Sequence, residues 1–239
     1  MSKKKILFFI TTSYPYGKGE SFIETEINYL SKTFDEIYII SNGLLNLHPV
    51  LFPENVKVEK FPYSLTKNEI FKSLNLLFTC TLWQEIFYLL FKYHKFPKWL
   101  TVKTIIFSLL YGNKLAKHIN NYIKNNSFEQ EDIFAYSYWF NDNSIGVSLL
   151  KKYYPKAKVF ARVHSYDLYF YRSLLNYIPF KNFLFKKLDF VYFISDDAYN
   201  YSKNILKINE KNLAKSGVSR LGILQTKKQF LSEGEKTCL

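Results

Sequence analysis

The sequence predicts an α/β fold, a Rossmann-like parallel sheet with helices on both faces. Three observations predict it. Short continuous apolar runs recur along the chain, as strands buried on both faces of a parallel sheet require. Stretches of helical periodicity alternate with those runs, and polar or turn-forming residues stand at the exits of three of them. Ligands of such sheets bind at the carboxyl ends of the strands, so the exits are where site residues are sought.

The elements follow in order. Residues 6–11 form the first apolar run. After a loop of turn formers, Phe22, Ile23, Ile27 and Leu30 recur at helical spacing over residues 21–33, with Ser21 placed as the cap and Glu24 at the third helical position. Glu36–Ser41 and Val56–Lys60 read as the second and third strands. Residues 66–124 read as helical, with breaks near Thr81 and at Pro97. Residues 133–138, 158–163 and 190–194 are further strands, separated by helical stretches at 143–153 and 168–187. Residues 196–206 read as another helix and 218–223 as a last short strand, followed by a polar tail.

The chain has 239 residues, 48% of them hydrophobic and 19% aromatic, which suits a folded domain with a sizeable core. Its formal charge of +13 calls for an anionic partner: phosphate groups, nucleic acid or an acidic membrane surface. Arg162, Arg172 and Arg220 are the only arginines. Lysine is a point charge where base reading favours the planar guanidinium fork, so specific nucleic-acid recognition is not expected. Two cysteines, Cys80 and Cys238, make no disulfide framework, and the basic start Met1–Lys5 leads into an apolar run with no cleavage site after it. A cytoplasmic placement is expected, with the option of lying on the inner face of the membrane. The greasiest region, 70–112, is interrupted by Lys72, Glu85, Lys92, Lys95, Lys98 and Lys103, short of the roughly 18 apolar residues of a spanning helix. An aromatic face rimmed by those lysines would meet an anionic bilayer; a packed pair of core helices would leave the lysines merely solvated.

Three constellations carry candidate chemistry. The loop Thr12-Ser-Tyr-Pro-Tyr-Gly-Lys-Gly-Glu-Ser21 places Gly17 and Gly19 where backbone approaches an anion closely, just before a helix. It is neither a dinucleotide fingerprint nor a P-loop, because Phe22 stands where a third glycine belongs and no Gly-Lys-Ser/Thr is present. An ordinary flexible loop is the alternative. The block Arg162-Val-His-Ser-Tyr-Asp167 begins at a strand end. There His164 can donate to a hydroxyl or phosphate or serve structurally, and Arg162 can pair with an anion. Asp167 can fix a hydroxyl, orient His164 or cap a helix starting at Leu168. Ser195-Asp196-Asp197 follows another strand and reads first as a helix start. His48, His94, His118 and His164 are scattered and no metal site is expected.

The stretch from Tyr14 to Ile27 (Tyr-Pro-Tyr-Gly-Lys-Gly-Glu-Ser-Phe-Ile-Glu-Thr-Glu-Ile), Tyr136-Ser-Tyr-Trp139, Arg162 to Asp167, and Val218-Ser-Arg-Leu-Gly222 together resemble the N-terminal domain of retaining GT-B glycosyltransferases. The similarity is to the large family of capsule, exopolysaccharide and lipopolysaccharide transferases. It implies a nucleotide-diphosphate sugar as donor, no cofactor or metal, and a glycan or lipid-linked saccharide as acceptor. By the same resemblance Gly17 and Gly19 lie near the donor phosphates, and His164 touches the donor sugar near the reaction centre. The family's C-terminal domain carries two glutamates eight residues apart, and no glutamate here has another eight positions on. The expectation is therefore an acceptor-side domain over 1–222, with 223–239 as linker and beginning of a missing C-terminal donor-binding domain, from either a truncated reading frame or a split enzyme whose other half is a separate chain. Alone, the chain would transfer no sugar. The alternative is a non-catalytic membrane-surface binding module that retains the acceptor-domain fold.

Overall fold

The computed structural model describes residues 3–17, 20, 22–42, 52–64, 66, 73–128 and 131–221. Gly19, the Ser21 cap, His48, Cys238 and the segment 222–239 with its domain boundary lie outside them. Seven strands run in chain order: β1 Lys5–Thr11, β2 Glu36–Ser41, β3 Val56–Lys60, β4 Asp132–Ser137, β5 Lys158–Val163, β6 Phe190–Phe193 and β7 Ser216–Val218. They make one sheet in the order β3-β2-β1-β4-β5-β6-β7, and every neighbouring pair is parallel. The fold is Rossmann-like α/β, as the alternation predicts.

The helices are α1 Phe22–Leu30, α2 Cys80–Phe87, α3 Trp99–Asn125, α4 Asp142–Leu149, α5 Lys181–Lys187, α6 Asp196–Asn204 and α7 Glu210–Leu213. The apolar runs are continuous because successive strand residues point to opposite faces and both faces are covered. In β1, Ile6, Phe8 and Ile10 enter a core shared with Ile105 and Ile119 of α3, Ile145 of α4 and Leu184 of α5. Leu7 and Phe9 enter a second core with Ile23 and Ile27 of α1. Full burial of side chains of this size stabilises by about 1.5–3 kcal/mol each, which makes β1 the spine of both layers.

Helices α3 and α4 approach closely enough to need glycine at the crossing. A Cβ on Gly112 would stand 2.4 Å from Ile145 Cγ2, and one on Gly146 would stand 2.6 Å from Leu115 Cδ2.

Three expected boundaries change. The 66–124 stretch resolves, among its described residues, into a 3₁₀ turn Ser73–Phe78, α2, a π turn Tyr88–Lys92, an irregular passage through Pro97, and α3. The helix expected over 168–187 is absent; a 3₁₀ turn Phe170–Arg172 and then α5 replace it. Pro179 lacks the amide a helix interior needs, and Asn176 (φ 48°) and Phe180 (φ 65°) take left-handed conformations on either side of it. The last strand is Ser216–Val218, because pairing with β6 sets Ser216 beside Val191 and Val218 beside Phe193. Among the described residues no helix is long and apolar enough to cross a membrane.

Candidate functional site

The sheet order reverses between β1 and β4. From β1 the chain proceeds outward to β2, whereas from β4 it proceeds the other way to β5. The connections leaving these two strands diverge, which opens a crevice at their carboxyl ends. The loop after β1, the Tyr138–Trp139 pair after β4 and the His164–Asp167 block after β5 all meet there.

Glu20 organises the first loop. Its carboxylate, 2% exposed, accepts from the backbone amides of Thr12 (3.1 Å), Ser13 (2.7 Å) and Tyr14 (2.6 Å) and from the Ser13 hydroxyl (3.0 Å). The Trp139 indole N–H donates to the same carboxylate. The amides of this turn therefore surround an anion belonging to the chain itself. Gly17 donates to the Ser13 carbonyl at 2.9 Å. A Cβ there would stand 2.8 Å from Ser13 Cβ, so close packing, rather than an unusual φ, explains this glycine.

His164 lies on the other side of Trp139, with ring centroids 4.4 Å apart, and 5.0 Å from the Tyr138 ring. The sequence-predicted pair Gly17 and His164 is thus brought to one edge of the sheet, linked through Trp139, Glu20 and Ser13. The His164 ring is buried at 7% exposure rather than standing open at the edge, and neither ring nitrogen has a hydrogen-bond partner in the protein. Its Nδ1 lies 3.7 Å from Asp167 Oδ2. The buried hydroxyls of Tyr14 and Tyr138 are likewise without a protein partner. Burial holds both phenols protonated, well above their usual range. Buried polar groups are ordinarily paired, so the adjacent unpaired groups of His164 and Tyr138 mark this edge of the sheet.

Asp167 neither caps a helix at Leu168 nor stands free. Its two oxygens accept from the amides of Phe140 (2.7 Å) and His164 (2.8 Å), tying the exit of β4 to that of β5. Arg162 is directed to a different partner from the expected anion. Its guanidinium donates to Tyr136 Oη (2.7 Å), the Ser219 carbonyl (2.9 Å) and Glu26 on α1 (3.0 Å), and Tyr136 donates to Glu26 in turn (2.9 Å). This partly buried ion pair fastens β5 to α1 across the second core. Ser195 caps α6 by accepting from the Ala198 amide at 3.2 Å, while Asp196 pairs with Arg220 at the surface. Among the described residues no group of three or more histidine, cysteine or acidic side chains could hold a metal.

Glu20, Glu26 and Trp139 escape residue-by-residue reading. Glu20 looks like an ordinary acid before a helix, and only the folded loop turns three amides toward it. A cavity of about 420 Å³ lies at the opposite, amino-terminal edge, lined by Glu131, Ile133, Tyr153, Pro155 and Lys158. It is remote from these convergent side chains.

Fold and crevice define the class of protein: a doubly wound, Rossmann-like α/β domain with a polar crevice at its switch point. No protein-family model matches the chain, and no curated protein matches it. Among solved structures, the N-terminal domain of Candida albicans trehalose-6-phosphate phosphatase is similar at a TM-score of 0.44 and 15% identity. The match covers 85% of this chain and 43% of that one, so this chain spans under half of that chain's length.

Proposed function

We propose that the chain is the acceptor-side half of a glycosyltransferase that moves a sugar from a nucleotide-diphosphate donor to a glycan or lipid-linked saccharide. The observation that carries this is the His164 ring, its nitrogens without a protein partner, packed against Tyr138 and Trp139 where the exits of β4 and β5 share one edge of the sheet. A sugar offers hydroxyls that both donate and accept, which is what the two imidazole nitrogens and the Tyr138 phenol lack. The flanking Trp139 ring supplies an apolar wall of the kind a pyranose face packs against. In this role His164 steadies a sugar hydroxyl near the reaction centre, and Asp167 positions it through the backbone amide. Gly17 lets the loop close on Ser13. The Glu20 carboxylate occupies the amides nearest Gly17, so the diphosphate is held mainly by groups of a donor-binding domain, and the chain by itself leaves the transition state without that electrostatic support.

The test is transfer of radiolabelled sugar from a panel of nucleotide-diphosphate sugars to lipid-linked acceptors, by the 239-residue chain with and without a donor-binding domain added in trans. Transfer is expected only with both present. His164→Phe keeps the ring between Tyr138 and Trp139 but removes both nitrogens, and should cut the rate at least about tenfold, equivalent to roughly 1.4 kcal/mol. Robust turnover by the chain alone would contradict the half-enzyme assignment, and full activity in His164→Phe would remove His164 from the site.

A further inference from the structure

The helical segment between β3 and β4 carries more exposed aromatic surface than packing requires. In α2 and the π turn that continues it, Leu82, Glu85 and Leu89 are buried against the body of the domain. Trp83, Phe87 and Phe91, spaced by four, form the opposite stripe and are exposed, with the Phe87 and Phe91 rings 4.7 Å apart. Phe78 (87% exposed) lines one groove with Trp83 and Phe87, and Phe96 (81%) and Trp99 (78%) add exposed rings farther along the same segment. Fully exposed Leu174 shares a groove with Phe96. A run of exposed large apolar side chains on successive elements marks an interaction surface rather than scattered exposure.

Charge chooses the partner. Between positions 73 and 128 the chain has seven lysines and one acid, Glu85, which is buried. Lys98 and Lys103 are exposed around the start of α3, Lys95 is half-exposed beside Phe96, and Lys186 lines a groove with Phe78, Trp83 and Phe87. A protein partner for such a patch would need an apolar face with an acidic rim. An anionic bilayer supplies both across its whole surface, with negative headgroups at the level of the lysines and acyl chains at the depth of the rings. Tryptophan and lysine side chains suit that boundary because each has an apolar body and a polar end.

We infer that this face seats the protein on an anionic lipid bilayer, inserting Trp83, Phe87, Phe91, Phe96 and Trp99 below a ring of lysines. The placement is independent of any transfer activity. Its orientation is fixed by the fold: on the inner side of α2, Glu85 accepts from the Tyr177 hydroxyl and the Phe180 amide, and the neighbouring Lys181 amine donates to the Phe140 carbonyl beside the crevice. The bilayer face and the crevice are therefore braced against each other through one short buried chain.

The experiment is vesicle co-sedimentation of the full chain with phosphatidylcholine alone and with phosphatidylcholine mixed with phosphatidylglycerol. Binding should be at least about tenfold tighter to the anionic vesicles and should weaken as salt rises, since the screening length falls below about 10 Å. Tryptophan emission should shift to the blue and be quenched by brominated lipid, and Trp83→Phe with Trp99→Phe should abolish the quenching while Trp139 stays unquenched. Replacing Phe87 and Phe91 by serine, or Lys98 and Lys103 by glutamate, should each weaken binding at least about tenfold with a nearly unchanged melting temperature, because these side chains are largely exposed. Equal binding to both vesicles, absence of quenching, or unaltered binding in both variants would overturn the inference. A concentration-dependent dimer lost on the serine substitutions would assign the face to a second copy of the chain and overturn it as well.

Discussion

Glu20 does at the residue scale what a bound anion does in other loops of this position. Three backbone amides, a hydroxyl and an indole converge on one buried carboxylate, and hydrogen bonds to a charged group are worth more than neutral ones. Glu20→Ala would leave the buried Tyr14 amide and the half-buried Ser13 and Trp139 donors without their acceptor. We expect it to lower unfolding stability by about 3 kcal/mol in urea titrations, with a change in native tryptophan emission as the Trp139 indole loses its acceptor. Glu20→Gln keeps one acceptor oxygen but turns an NH₂ group toward the amides, so it should recover only part of the loss. A Glu20→Ala protein as stable as the parent would show that the loop does not depend on this carboxylate. Arg162 teaches a related lesson: an arginine at a strand exit resembles an anion site, yet its three partners are already inside the protein.

At the scale of elements, the α3–α4 crossing is set by two small residues. Gly112 and Gly146 ordinarily lower helix stability by about 1 kcal/mol each relative to alanine, so substitution by alanine in an open helix would stabilise. Here the added methyl groups would meet Ile145 and Leu115 well inside contact distance. Overpacking of this kind costs about 1–3 kcal/mol, and the crossing cannot open without disturbing Ile105, Leu115 and Ile119 in the main core. Both Gly112→Ala and Gly146→Ala should therefore lower the urea midpoint, and a rise in either would show that the helices separate at little cost. Helix α2 and the π turn that continues it show the opposite arrangement, with one face packed by Leu82 and Leu89 and the other left to solvent.

Across the whole molecule, a buried polar chain joins layers that the apolar cores hold only by area. Glu85, Lys181, Phe140, Asp167 and His164 connect α2, α5 and the exits of β4 and β5. Burial pushes the Lys181 amine down to about 8 from 10.5, against the attraction of Asp167, Asp142 and Glu85. Burial also raises the carboxyl groups of Glu85 and Asp142. For Lys181 the folded state binds its proton less readily than the unfolded chain does. The penalty is present in full below pH 8 and is relieved as pH rises from about 8 toward 10.5. Stability should gain from this residue across that window by something on the order of 3 kcal/mol. Urea unfolding followed at intervals through the window, in the parent and in Lys181→Met, checks it: the upward slope should be present in the first and missing in the second. Equal slopes would place the effect on other groups.

The architecture was legible in the sequence because it depends on local, repeating physics. A strand buried on both faces must be apolar at successive positions, and the runs at 6–11, 36–41 and 158–163 could be read directly, while the edge strand 56–60 showed only apolar and polar alternation. The polar exits of β1, β4 and β5 followed from the same alternation, and they do share one edge of the sheet. What each polar side chain does there was decided by tertiary structure. Whether Arg162 faces a ligand or Glu26 depends on where α1 packs, 136 residues earlier in the chain. Whether the His164 ring is open or sandwiched depends on the turn that follows β4. The helix expected over 168–187 failed for a local reason, Pro179, whose weight was set by the packing that holds Asn176 and Phe180 in left-handed conformations. Periodicity records which side of an element meets the core; the partner that meets a polar atom is chosen only when distant segments are brought within hydrogen-bond reach.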